Sequence, residues 1–170
     1  MRAKPAHLAF AAVLAASPVA AAELAGAFGQ GRVHVAAAVG SGSAFDQSYL
    51  ILGVGASYYV LDGLNVGLFV ESWTGASPHL TTVTPSLQYV FYQVPTVKPY
   101  VGVFYRRTSI EDRADVNSDG VRAGVYIQAA RNAYIGIGGV YESYLDCNNA
   151  RTVFKSCSTT YPEVSLTFAF

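Results

Sequence analysis

The last eight residues of the sequence, EVSLTFAF at positions 163–170, alternate between two kinds of side chain. Val164, Leu166, Phe168 and Phe170 are apolar, whereas the residues between them are small or polar. Strict alternation over this length predicts a β-strand whose two faces meet different surroundings. The aromatic face has to be covered by a protein core or by lipid, and the rest of the sequence must distinguish these two cases.

Seven further segments repeat the same period of two. Each has close to the roughly ten residues with which a tilted strand crosses a membrane. Tight turns alternate with longer polar loops at 41–47, 74–80, 109–120 and 146–160, which is typical of outer-membrane barrels. The sequence therefore predicts an all-β fold, an eight-stranded antiparallel up-and-down transmembrane β-barrel. The predicted strands are residues 32–42, 48–60, 65–73, 80–92, 100–108, 120–130, 133–145 and 160–170.

The composition agrees with a barrel in lipid. Hydrophobic residues make up 52% of the 170 residues and charged residues only 13%, about half the charged fraction of a soluble domain. The formal net charge is 0, so there is no basic surface for nucleic acid. The length is that of one domain.

The N-terminus has the layout of a secretory signal peptide. Arg2 and Lys4 precede an apolar run at 8–16, and small residues follow it up to Ala22. We expect a signal peptide at residues 1–22, cleaved near Ala22, and a barrel domain at residues 23–170. Export also places the two cysteines, Cys147 and Cys157, in an oxidising compartment, where a disulfide is the expected state. Closing this loop would stabilise the fold by a little under ~3 kcal/mol.

Charged residues within the predicted strands share the small and polar face. Because a membrane barrel turns its apolar face outward, we expect these residues inside, where opposite charges must balance. A soluble sandwich or lipocalin-like barrel, with the two faces reversed, is the alternative. The three arginines and three glutamates balance, and with His34 they form the predicted interior charge network: Arg32, His34, Glu71, Arg106, Arg122, Glu142 and Glu163.

The signal peptide, the eight-strand pattern and the terminal Phe170 resemble the small eight-stranded outer-membrane barrels, such as OmpX and the transmembrane domain of OmpA. The resemblance is architectural and covers residues 23–170. It implies a place in the outer membrane of a Gram-negative bacterium, among outer-membrane lipid and lipopolysaccharide. It also implies that Val164, Leu166, Phe168 and Phe170 are the signal read by the barrel-assembly machinery. The implied function is non-enzymatic: a structural or surface-interaction role through the extracellular loops, which leaves room for an extracellular partner.

Two loop motifs suggest other activities. Asp115, Asn117 and Asp119 match the opening of an EF-hand calcium loop, but its twelfth position is Tyr126 instead of a bidentate glutamate. Weak calcium binding at 115–119 is therefore an alternative to a plain solvated loop. Ser77 and His79 share an outer loop, which suggests a lipid-modifying enzyme similar to lipid A deacylases, although no carboxylate lies beside them to orient a base.

A narrow channel is the remaining alternative. An eight-stranded barrel is just wide enough for its own side chains to fill the interior, which disfavours a conducting lumen. We expect no catalytic residues, no cofactor and no metal site.

Overall fold

Eight antiparallel strands close into a barrel in chain order, in a computed structural model that describes residues 26–154 and 156–170, with only the backbone of Asn149. The predicted up-and-down barrel is confirmed, whereas the predicted signal peptide at 1–22 lies outside the described residues. A short 3₁₀ turn (Gly26–Phe28) precedes the barrel, and one helix, α1 (Cys147–Phe154), joins the last two strands. The strands are β1 (Val33–Ala44), β2 (Gln47–Leu61), β3 (Leu64–Thr74), β4 (Leu80–Val90), β5 (Val97–Ile110), β6 (Val116–Ala130), β7 (Ala133–Tyr144) and β8 (Ser158–Ala169).

The alternation in the sequence becomes two faces of the barrel wall. In β3, Val66, Leu68 and Val70 are 38–51% exposed on the outside, while Phe69 and Glu71 lie on the inner face. The other strands follow the same rule, as their alternating burial shows. The apolar face is therefore the outer one, which is the arrangement of a membrane barrel. Among the described residues, no helix has the length and apolar character needed to cross a membrane.

The connections define two rims. The inner rim carries residues 62–63, 91–96 and 131–132, and the outer rim carries 45–46, 75–79, 111–115 and 145–157. The expectation of four long outer loops is correct only for the last. Phe45 and Asp46 have φ of 51° and 63°, a two-residue turn of the kind that joins hairpins. Pairing continues up to this turn because a β-ladder needs only the backbone of Ser41–Ala44, and serine and glycine supply it as well as apolar residues do.

The candidate calcium segment is also strand. β6 begins at Val116, and Asn117 and Asp119 pair with Arg107 and Tyr105 of β5. Successive side chains of a strand point to opposite faces, so Asn117 and Asp119 lie outside while Ser118 is buried inside. An extended segment cannot wrap around an ion, so these residues do not form an EF-hand loop.

Two ladders are incomplete. Between β4 and β5 the pairs stop at Val83 and resume at Ser86, on either side of Pro85, which has no N–H to donate. Between β1 and β8 the ladder has four residue pairs, from His34 with Ala169 to Ala37 with Leu166. The barrel thus closes through the inner-rim halves of its first and last strands.

Candidate functional site

The interior holds a buried ion-pair cluster centred on Glu142 of β7, which is 3% exposed. Its Oε2 atom accepts hydrogen bonds from Arg106 Nη1 at 2.9 Å and from the Tyr161 hydroxyl at 3.0 Å. Its Oε1 atom accepts one from Ser118 Oγ at 2.5 Å. The residues come from four strands, β5 to β8, so the cluster ties this side of the wall together through the lumen.

Arg106 links this carboxylate to a second one. Its Nη2 atom lies 3.7 Å from Glu71 Oε2, and its Nε donates to Thr84 Oγ1 at 3.2 Å. Thr82 Oγ1 donates to Glu71 Oε2 at 2.8 Å. One guanidinium thus faces two carboxylates, with two threonines of β4 as neutral partners. This satisfies several polar atoms that lie out of water.

A second ion pair lies beside the first. Arg122 Nη1 is 3.2 Å from Glu163 Oε2. The ring of Phe104 lies under both arginines, with its centroid 5.4 Å from Arg106 Cζ and 5.0 Å from Arg122 Cζ. The Nε of Arg122 is buried without a hydrogen-bond partner among the described residues. Arg122 is therefore held less completely than Arg106.

Two of the predicted network residues lie elsewhere. Arg32 precedes β1 and is exposed, so the interior network holds two arginines and three glutamates and has a formal charge of −1 instead of 0. His34 is buried at the inner rim, where its Nε2 lies 2.8 Å from the carbonyl oxygen of Ala27. These placements differ from the expectation because a strand's alternation assigns a face but not a depth along the barrel.

An aromatic plug fills the inner rim around Phe28, which is 2% exposed. Its ring centroid lies 4.9 Å from that of Tyr134, 5.4 Å from His34 and 6.0 Å from Tyr59. The 3₁₀ turn at Gly26–Phe28 places this ring in the barrel mouth. The sequence reasoning missed the plug, and the available signal was Phe28, a large apolar residue among glycine and alanine ahead of the first strand.

A helix covers the outer rim. Ala150 and Val153 of α1 are buried in the barrel mouth with Leu80 and Ile110. The ring of Phe154 stacks on Tyr144 at 4.9 Å and 7°. The predicted disulfide between Cys147 and Cys157 is confirmed, with Cα atoms 4.9 Å apart. The helix itself was not predicted, although apolar residues at 150, 153 and 154 have helical spacing.

Cavities remain between these packed layers. The outer chamber, about 430 Å³, lies under α1 and is lined by Trp73, Phe154, Glu71 and Glu142 among others. A second cavity of about 220 Å³ reaches Arg122, Glu163 and the β1–β8 boundary. A third, of about 70 Å³, lies near His34. The buried Nε1 of Trp73 has no partner within the described chain.

The other predicted site residues are on the surface. Ser77 and His79 are exposed in the outer turn 75–79. The four residues proposed as the assembly signal face outward along β8 and just beyond it, with exposures of 63% for Val164, 41% for Leu166, 41% for Phe168 and 68% for Phe170. A metal-binding group of three or more His, Cys, Asp or Glu residues is absent from the described residues.

A closed eight-stranded barrel with an apolar outside and ion pairs inside has the fold of the small outer-membrane β-barrels, as the sequence predicted. The N-terminal barrel domain of Pseudomonas aeruginosa OprF is similar, with a TM-score of 0.64 and 16% identity over 84% of this chain and 99% of that one. Neisserial surface protein A (NspA) is similar with a TM-score of 0.54 and 22% identity, over 81% and 94% of the two chains.

A third similar structure is the outer membrane protein OprG from Pseudomonas aeruginosa, with a TM-score of 0.47 and 15% identity over 84% of this chain and 97% of that one. No family model and no curated protein matches the sequence. At these identities the likeness concerns the fold alone.

Proposed function

We propose that this chain is an integral protein of the bacterial outer membrane, with a structural, non-conducting interior and a surface that interacts with molecules outside the cell. The observation that carries the proposal is the filling of the lumen at three levels. The plug around Phe28 occupies the inner rim, the Arg106–Glu142 pair crosses the middle and α1 covers the outer rim. With the lumen blocked at these levels, the exposed outer rim is the part that can contact molecules outside the cell.

The outer location of the long connection supports the second half of the proposal. The helix α1 buries Ala150 and Val153 and leaves Arg151 exposed, and the disulfide fixes the ends of this segment. A short rigid element on a barrel mouth presents side chains at little cost in conformational entropy. An extracellular partner would therefore contact the exposed face of 145–157 and the neighbouring turn 111–115.

Planar-bilayer recording tests the closed interior. The purified barrel should give no discrete conductance steps. The double variant Phe28→Ala/Arg106→Ser, which removes the centre of the plug and the central ion pair, is the positive control and should conduct. Steps from the natural sequence that change in size with Arg106→Ser would favour the narrow channel and overturn the proposal. Lipid A profiles of cells with Ser77→Ala or His79→Ala address the enzymatic alternative, and we expect both to match the parent strain.

Protease treatment of intact cells tests the location. Cleavage within the exposed turn 111–115 should not depend on the disulfide. Cleavage within 145–157 should require disulfide reduction or prolonged exposure, because α1 is packed against the barrel and its ends are joined by the disulfide. The outward row Val164, Leu166, Phe168 and Phe170 supports recognition by the barrel-assembly machinery. Phe170→Ala should then lower the folded fraction in cells but leave refolding in detergent unchanged, while equal losses in both would assign Phe170 a purely structural role.

A further inference from the structure

The barrel has a seam between its first and last strands that is closed only near the inner rim. Val33 and Phe170 exchange two backbone hydrogen bonds, and register pairs continue to Ala37 and Leu166. Beyond that point β1 runs on to Ala44 and β8 back to Ser158, each still paired with its other neighbour. Among these described residues, the outer halves of β1 and β8 form no register pairs with each other.

Pro162 keeps the ladder from resuming nearer the outer rim, beyond its last pair at Ala37 and Leu166. Because Val33 and Phe170 form a mutually bonded pair, every second pair along the same register should do the same. Continuing that register places Ser41 opposite Pro162 at such a position, and proline has no N–H to donate. Gly40 and Gly42 flank Ser41 and add conformational freedom on the opposite strand. Around Ser41 and Pro162, neither strand therefore favours a renewed ladder.

An open edge in lipid needs an occupant. Backbone N–H and C=O groups without a partner cost several kcal/mol in hydrocarbon, since no water replaces the lost bond. The cavity of about 220 Å³ lies along this seam and is lined by side chains of both faces. Val39 and Val164 belong to the outer face and are 72% and 63% exposed, whereas Arg122 and Glu163 are interior. The seam thus connects the lipid side of the wall with the lumen.

The interior chemistry specifies the occupant. The buried Nε of Arg122 and Nε1 of Trp73 are both donors without partners in the described chain, so a ligand should supply hydrogen-bond acceptors. The interior network already has a formal charge of −1, which opposes an anion, and its carboxylates are engaged by Arg106, Arg122, Ser118 and Thr82. An uncharged headgroup with carbonyl or hydroxyl oxygens meets both conditions.

We propose that the β1–β8 seam is a lateral binding site for a single-chain lipid with an uncharged, oxygen-rich headgroup. The headgroup enters between Ser41 and Pro162 and accepts from Arg122, while the acyl chain stays in the bilayer between Val39 and Val164. The outer chamber adjoins the cavity through shared lining residues, including Glu71 and Tyr161. Together the two spaces are in the size range of small-ligand sites. This site goes beyond the proposed surface role and needs only the folded barrel.

Native mass spectrometry of the barrel released from detergent micelles tests the proposal, with monooleoylglycerol as the probe. The natural sequence should carry one probe molecule per barrel. Oleate and oleylamine share the acyl chain but carry a charge. The ammonium of oleylamine cannot accept a hydrogen bond from Arg122, and oleate is opposed by the formal charge of −1 of the interior network, so each should bind about tenfold more weakly. Equal binding of the three amphiphiles, or no adduct at all, would overturn the proposal.

Pro162→Val restores the missing donor and should close the seam, lowering the affinity for monooleoylglycerol by at least about tenfold. Pro85→Val is the matched control, because it also fills a ladder gap but its own side chain does not line the cavity, and binding should not change. Heat-modifiable gel mobility verifies that each variant folds. If Pro162→Val does not fold, the proposal is tested by comparing the binding of monooleoylglycerol, oleate and oleylamine to the natural sequence.

Two results with the variant would contradict the site. Unchanged probe binding by folded Pro162→Val would show that the lipid does not enter at the seam. A dimer of the natural sequence that Pro162→Val abolishes, without any probe adduct, would assign the open edge to strand pairing between two copies of this chain.

Discussion

Arg106 and Arg107 are adjacent in β5 but lie on opposite faces, so the same substitution tests two environments. Arg106 is 11% exposed and pairs at 2.9 Å with Glu142, which is 3% exposed. Arg107 is 64% exposed and pairs at 2.5 Å with Asp115, which is 29% exposed. Methionine keeps much of the side-chain volume of arginine and removes its charge and donors.

The expected costs differ by several-fold. Removing one partner of a buried ion pair leaves an uncompensated charge and destabilises by about 3–5 kcal/mol. For Arg106→Met the value should lie in the upper part of this range, because Glu71 and Glu142 both lose their counter-charge. An exposed pair contributes about 0–1 kcal/mol, so Arg107→Met should change stability little.

Equilibrium urea unfolding of the refolded barrel in detergent measures both free energies. Trp73 is the only tryptophan in the sequence, so its fluorescence reports the transition, and gel mobility gives an independent reading of the folded fraction. In Arg106→Met combined with Glu142→Gln, part of the loss should be recovered because the variant no longer leaves Glu142 as a buried carboxylate. Similar losses from Arg106→Met and Arg107→Met, or a loss below about 1 kcal/mol at Arg106, would refute the reasoning.

Three other perturbations have definite expected outcomes in the same urea assay. Phe28→Ala removes the centre of the inner-rim plug and should cost about 3–5 kcal/mol; a loss under about 1 kcal/mol would show that the plug is not packed in solution. Gly138→Ala places a Cβ 2.5 Å from a backbone oxygen and should cost about 1–3 kcal/mol. Gly139→Ala meets nothing within 4 Å and should be within about 0.5 kcal/mol of the parent; the reverse order would contradict the assignment of faces. Reducing the disulfide of Cys147 and Cys157, which are 10 residues apart, should lower stability by less than about 3 kcal/mol, and an unchanged urea midpoint would mean that the staple does not constrain the unfolded chain.

Alternation alone predicted the eight strands, their faces and the ionic interior, because a strand's side chains reverse with each residue whatever surrounds it. It could not predict strand length at the rims. Ser41–Ala44 and Val116–Asp119 have the composition of loops, but pairing partners extend their ladders. Whether a neighbour is available is a tertiary property that local sequence does not carry.

In the candidate site, too, the sequence predicted which residues lie inside the barrel but not which residues they contact. Glu71, Arg106, Arg122, Glu142 and Glu163 were predicted as interior charges from their face, but their partners were not. The plug around Phe28 and the helix α1 do not show the strand alternation, so the alternating pattern could not predict either element. That Pro162 lies opposite Ser41 at a bonded position of the β1–β8 seam can be seen only once the register is known.

The central claim is that the apolar face of the wall meets hydrocarbon. Neighbouring residues of β3 test it directly: Leu68, 51% exposed on the outside, and Phe69 on the inner face. In a Trp73→Phe background, Leu68→Trp and Phe69→Trp each place a single tryptophan in the barrel, which is then reconstituted into bilayers with brominated acyl chains. Strong quenching at position 68 and little at position 69 is the predicted result; stronger quenching at position 69 would contradict the orientation on which the fold, the ion-pair interior and the seam all depend.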